Sequence, residues 1–340
     1  MKKILIISSV FFIAFITACN NNQKKEQSVA SFLTAKNVVQ FNQLVYKVNV
    51  KDSFVKYAPD YDIVFLPKDV NGNLAIIAKN KNTEQYALVI RGSLIEFSNA
   101  GFQNFILQDF NIFTIKKWEY ADTVKEAYIS NGAYTGFQNL QQLRDIVSGL
   151  TIKEFIETKI PPRASMVITG HSLGGNLAYP MAGYLKKEIP ADKKISLQLI
   201  TFGAPAVGNA AFVQDLDEKF PTGERYATDK DIAPVFPDMD RISELAKLIG
   251  LDSVLQLSKL KIGGMDAGDL LNIGRQILEK TNVINTSNKY VQRQKHLRLL
   301  TSSDSAVSNI PLSADAVFDN AYRFHKVDTY ALLLGGKALN

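Results

Sequence analysis

The chain has 340 residues, 46% hydrophobic and 21% charged, which excludes a disordered polymer and allows one large domain or two small ones. The formal charge of +6 comes from scattered lysines, so nucleic acid is not indicated, although an anionic membrane surface would be tolerated. With a single cysteine, Cys19, no internal disulfide can form.

Lys2 and Lys3 precede an apolar run from Ile4 to Ile16. That run is shorter than the ~20 residues needed to span a bilayer, so it reads as a processing segment. It ends Ile16-Thr17-Ala18-Cys19, which resembles the lipobox of bacterial lipoproteins. The alternative is a plain secretory signal with a chance cysteine. The resemblance implies that residues 1–18 are a signal peptide and that Cys19 is the lipid attachment site and first mature residue. It places the protein in the bacterial cell envelope, outside the cytoplasm, with the lipid anchor on a membrane. Asn20, rather than Asp, follows the cysteine, which favours the outer membrane in a Gram-negative host. Residues 19–31 are polar and aperiodic and read as a flexible tether. Residues 32–340 are expected to form the folded domain.

Ala30 to Val50 reads as a helix. Leu74 to Ala78 and Tyr86 to Ile90 are β-rich runs around the polar cluster Lys79-Asn80-Lys81-Asn82, which predicts a hairpin. Leu94 to Trp118 carries Phe97, Phe102, Phe105, Phe110 and Phe113, and suits either core or a mobile apolar flap. Thr123 to Phe155 reads as mostly helical, with breaks at Asn131-Gly132 and Gly149. Ser196 to Phe202 and Glu224 to Thr228 are further strands. Asp240 to Lys280 reads as a helical pair hinged at Gly263-Gly264, an insertion placed to wall a ligand pocket beside the strand ends, or to pack as inert bulk or face a membrane. Tyr290 to Leu300 is a late strand, and Tyr322 to Leu334 a C-terminal helix. Strands alternating with helices predict an α/β fold with a mainly parallel sheet.

The chemistry centres on Ala164 to Asn176. An apolar strand-type run leads into Gly170-His171-Ser172-Leu173-Gly174, and apolar residues at helical spacing follow. Strand, sharp turn and helix form the context of a nucleophile elbow, which exposes Ser172 at a strand end. A serine hydroxyl needs a base, commonly His oriented by a carboxylate. His171 lies on the elbow itself and is expected to point away. His296 and His325 both follow Ser172 in the chain; the loop position favours His325. Asp229 and Asp231, just after a strand, are the leading acids. No cluster with defensible metal-ligand spacing occurs, and no cofactor is expected.

Several segments resemble class 3 lipases, the group that includes the filamentous-fungal triacylglycerol lipases, in the family's own order. They are Val89-Ile90-Arg91-Gly92-Ser93, Gly170 to Gly175, Thr201-Phe202-Gly203-Ala204-Pro205-Ala206-Val207-Gly208-Asn209, Asp231-Ile232-Ala233-Pro234 and His325-Lys326-Val327-Asp328-Thr329-Tyr330. The resemblance, which runs from about Leu88 to Leu334 but does not cover the tether, roughly the first 60 mature residues or the helical insertion read at 240–280, implies an α/β-hydrolase with a mainly parallel central sheet flanked by helices. It implies Ser172 as nucleophile, Asp231 as acid and His325 as base. Ser93 and Leu173 would supply the oxyanion hole, and the segment after Ser93 would be a lid. The implied function is hydrolysis of lipid acyl esters, of triacylglycerol or phospholipid, through an acyl-enzyme. A carboxylesterase acting on small soluble esters and a non-catalytic lipid-binding lipoprotein are the alternatives. The sequence departs from the family pattern at Pro180, inside the helix after the elbow, where a kink is expected. Ala206 stands where Arg or Lys is common, and Asn131-Gly132-Ala133 where a His-x-Gly is frequent.

Overall fold

A computed structural model describes residues 32–94, 114–122, 124–238, 241, 244, 261–262, 265–266, 289–303 and 322–339. The strands are β1 (Tyr61–Phe65), β2 (Ala75–Asn80), β3 (Gln85–Ile90), β4 (Ile115–Lys117), β5 (Tyr128–Ser130), β6 (Ser165–His171), β7 (Ser196–Phe202), β8 (Glu224–Thr228), β9 (Lys261–Ile262), β10 (Met265–Asp266) and β11 (Leu297–Leu300). The helices are α1 (Ala35–Leu44), α2 (Val50–Tyr57), α3 (Asn131–Gln142), α4 (Ile152–Lys159), α5 (Leu173–Glu188), α6 (Ala210–Lys219) and α7 (Val327–Leu333).

One seven-stranded sheet, in the order β1-β2-β3-β6-β7-β8-β11, carries the domain. β1, β2 and β3 pair antiparallel, and the remaining neighbours pair parallel. The central strand β6 is buried along all seven residues, as a parallel strand covered on both faces must be. Alternation then divides the core. Leu88, Ile90, Met166 and Ile168 face a layer that includes Phe137 of α3, Leu177 and Met181 of α5 and Phe212 of α6. Ala87, Val89 and Val167 face a second layer, built with Val38 and Phe41 of α1, Phe54 of α2 and Tyr330 of α7.

The hairpin and the strands 196–202 and 224–228 match expectation. Residues 30–50 hold one helix, α1, whereas a second, α2, starts at Val50. Its signal is Asn49, whose side chain accepts from the Asp52 amide, with Asp52 in the first turn and Lys56 in the last. Asn131-Gly132 opens a helix instead of breaking one, because Ser130 caps it through a 3.1 Å bond from the Ala133 amide to Oγ. The preceding three residues form β5 against β4, too short to register as alternation. The late strand is confined to 297–300, and residues 294–296 form a 3₁₀ turn before it. Pro180 is accommodated within α5, which runs on to Glu188. The flap at 95–113 lies outside the described residues, as do Cys19, the tether and most of the 240–280 insertion. Within that insertion Arg241 and Glu244 are helical, and β9 and β10 pair antiparallel on either side of Gly263-Gly264.

Candidate active site

β6 ends where the chain must turn sharply into α5. Gly170 and Gly174 permit it: a Cβ on Gly170 would lie 2.1 Å from the Gly174 carbonyl carbon, and one on Gly174 2.2 Å from the Ile90 carbonyl oxygen. Ser172, between them, has φ 59° and ψ −128°, a conformation that L-residues adopt at a cost of order 1–3 kcal/mol. It occupies the N-cap position of α5, yet its side chain caps nothing. Oγ lies instead 2.7 Å from His325 Nε2. A residue type that ordinarily satisfies the first amides of a helix is diverted, which leaves those N–H groups, Leu173 first, available to an anion.

His325 lies in a helical turn just before α7, and Asp231 just after β8. His325 Nδ1 is 2.8 Å from Asp231 Oδ2. The other carboxylate oxygen accepts the Ala233 amide at 2.8 Å. Ser172, Asp231 and His325 are 5%, 1% and 2% exposed, so their interaction is shielded from water. With Nδ1–H donated to Asp231, Nε2 is left to accept from the Ser172 hydroxyl. Asp229 takes a different part: its Oδ1 accepts the Ser302 amide at 3.1 Å. His296 sits in the turn before β11, 3.4 Å from Asp217.

Ser93 follows β3, which runs parallel to β6 with Ile90 opposite Gly170, so both chain ends leave the sheet at the same edge. Gly92 passes so close to the elbow that a Cβ there would be 2.7 Å from the His171 carbonyl oxygen.

Four residues assigned no role from the sequence support this centre. Tyr330 donates its hydroxyl to Asp231 Oδ2 at 2.6 Å and accepts the Thr228 amide at 3.3 Å. Burial and the neighbouring Asp231 charge push its phenol well above the ordinary value, so it remains a donor. Gly203 has φ +57°, and a Cβ there would stand 3.1 Å from Asp231 Oδ2 and 3.2 Å from His325 Cε1. His171 does not point away from the centre. Its ring lies 4.7 Å from that of His325, and its Nε2 is 2.6 Å from the His325 carbonyl oxygen. A carbonyl only accepts, so Nε2 carries the proton, and Nδ1 accepts from the Tyr46 hydroxyl at 3.1 Å. Burial, then the His325 charge, hold His171 well below the ordinary histidine value and hence neutral. Tyr46 follows α1, 125 residues before its partner. The signal for Tyr330 was in the sequence, five residues after His325. For Tyr46 there was none.

Among the described residues no group of acidic, His and Cys side chains is placed to hold a metal ion, and no helix is long and apolar enough to cross a membrane.

Residues 88–241 match the family model described as Lipase (class 3). A secreted mono- and diacylglycerol lipase 1 of Fusarium solani is 32% identical over 105 residues, covering 31% of this chain and 28% of that protein. The chain therefore matches well under half the length of that curated relative. The crystal structure of M37 lipase superposes with a TM-score of 0.67 at 22% identity, covering 90% of this chain and 94% of that one. The fold is that of an α/β-hydrolase, and residues 88–241 carry the sequence pattern of class 3 lipases.

Proposed function

We propose that this protein is a serine ester hydrolase of the lipase type, cleaving acyl esters of lipids through an acyl-enzyme. The observation that carries the reading is the buried chain from Ser172 Oγ through His325 to Asp231, set on an elbow at φ 59°. As Oγ attacks the ester carbonyl, its proton passes to His325 Nε2. Asp231 keeps the imidazole in that tautomer and stabilises the imidazolium. The developing oxyanion is met by the N–H of Leu173 at the start of α5 and by that of Ser93. The imidazolium returns its proton to the leaving alcohol. Water, deprotonated by the same nitrogen, then releases the fatty acid.

The Fusarium relative is by name a mono- and diacylglycerol lipase, so partial acylglycerols head the substrate panel, ahead of triacylglycerol and phospholipid. Purified protein should release fatty acid from these dispersed lipids and gain activity as the substrate forms an interface. Turnover confined to dissolved short-chain esters would make it a carboxylesterase. Absence of turnover, with Ser172 unreactive to a serine-directed phosphonate, would refute the reading.

We propose further that Cys19 carries lipid and holds the enzyme on an envelope membrane through residues 19–31. One acyl chain binds marginally and two or more stably, so Cys19→Ser should release the protein into the soluble fraction. Mass spectrometry that finds the mature N-terminus at another, unmodified residue would defeat the proposal.

A further inference from the structure

A cavity of about 410 Å³ lies among β8, β11 and the loop from Pro234 to Asp238. That volume lies within the range of small-ligand sites. Ala227, Val235, Phe236 and Leu297 give it largely apolar walls, Asp231 borders it, and Arg225 lines it.

Arg225 is the unusual member. It is 3% exposed, and its Nε makes one long bond, 3.4 Å, to the Arg293 carbonyl oxygen. Among the described residues it has no carboxylate partner, and its two Nη groups have no hydrogen-bond acceptor. Other arginines here are paired: Arg293 with Asp217 at 2.6 Å, Arg298 with Glu224 at 3.2 Å, Arg144 with Glu154 at 3.7 Å. The groups whose fields reach Arg225 are the phenols of Tyr179 and Tyr330 and two further cations, Arg241 and Arg293. Burial pushes the guanidinium below its ordinary value. Two more cations, the exposed Arg241 and Lys289, also line the cavity, and so do the carboxylates of Asp229, Asp231 and Asp238; Asp229 accepts the Ser302 amide, Asp238 the Arg241 amide, and Asp231 is held by His325 and Tyr330. A buried guanidinium without a counterion is costly, and five planar donors suit a bidentate oxyanion. Apolar walls beside one such group describe a ligand with an anionic head and an apolar body.

We propose that this cavity binds an amphiphilic monocarboxylate, with its carboxylate across the Nη groups of Arg225 and its chain along Ala227, Val235, Phe236 and Leu297. The choice of a fatty acid anion rests on the ester-hydrolase reading, since that reaction releases one. An alkyl phosphate would present similar head-group chemistry.

The test uses the full chain carrying Ser172→Ala, so that binding is read without turnover. Decanoate, decanol, decyl phosphate and inorganic phosphate are titrated below the concentrations at which they aggregate, by calorimetry and by the shift in unfolding midpoint. Decanoate should bind saturably, at least ten-fold tighter than decanol or inorganic phosphate. Arg225→Met should leave the ligand-free midpoint unchanged or higher, because it removes an uncompensated charge, and should weaken decanoate at least ten-fold. Arg241→Glu with Lys289→Glu, both at exposed positions, should weaken it at least five-fold, and this pair decides the matter if Arg225→Met does not fold. Decanoate binding that ignores these substitutions overturns the proposal, as does decyl phosphate binding ten-fold tighter than decanoate. If esters are hydrolysed but binding is independent of Arg225, the cavity inference fails alone. If binding depends on Arg225 but no ester is hydrolysed, the functional reading fails alone.

Discussion

The two faces of the sheet contribute different things to the candidate site. The face covered by α3, α5 and α6 is an apolar layer, and its helices lie within the segment that matches class 3 lipases. It gives the elbow a rigid backing and sets Ser172. The face covered by α1, α2 and α7 lies largely outside that segment, and several polar pins are found there. Asn42 of α1 donates to Thr169 of β6 at 2.8 Å, Tyr46 holds His171, and Tyr330 of α7 holds Asp231. Ser172 thus depends on packing, and the His325–Asp231 pair on hydrogen bonds brought from the two ends of the described chain. The matched segment 88–241 holds the first set of contacts and Asp231, and leaves Asn42, Tyr46, His325 and Tyr330 outside it.

Substitutions can break this contrast, with the largest effects at the reacting atoms. Ser172→Ala and His325→Ala should each lower kcat by roughly 10⁴–10⁶ without unfolding the protein, and the double variant should lose little more, because the residues act as a unit. His296→Ala should retain activity; if it abolishes turnover while His325→Ala spares it, the base is misassigned. Tyr330→Phe removes a donor from a buried carboxylate. It should lower kcat about ten-fold and cost roughly 1–3 kcal/mol in denaturant titrations. An unchanged kcat would reduce Tyr330 to packing.

A pH titration of stability sharpens the comparison further. His171 is neutral when folded, with its pKa depressed below the ordinary 6.5. Its share of stability is therefore complete above about pH 6.5 and is lost as pH falls toward the depressed value, because the unfolded chain binds the proton first. The slope should reach at most about 1.4 kcal/mol per pH unit for this one group. His296, depressed mainly by burial, acts in the same direction. His171→Gln should flatten the slope between pH 6.5 and 5 by one group's worth; an unaltered slope would mean that His171 titrates freely. The smallest effect is expected at Asn42→Ala, about 1 kcal/mol of stability with kcat unchanged, since that pin holds a strand and touches no reacting group.

β3, β6 and β7 were readable because each carries a short apolar run bounded by turn residues. The elbow was readable because its glycines answer to backbone crowding that any such turn meets. His325 could be preferred over His296 because the sequence reads it as a loop residue and His296 as mid-strand; the structure instead puts them in a helical turn and a 3₁₀ turn, and what separates them is that His325 reaches Ser172 and Asp231. β1 and α2 were not readable: each buries few residues, and α2 announces itself only through Asn49 and Asp52. His171 was misjudged for a physical reason. A side chain directed away from the serine on the elbow can still lie under the base, and only the approach of α7 and Tyr46 reveals it.

The serine and the histidine it bonds are 153 residues apart in the chain. Synthesis at about 5–20 residues per second separates their appearance on the ribosome by roughly 8–30 seconds. Throughout that interval Ser172 has no His325 to bond, and α1 has no α7 to pack against. The hydrogen-bonded chain at Ser172 is therefore completed only after residue 325 has been made, however early the elbow folds.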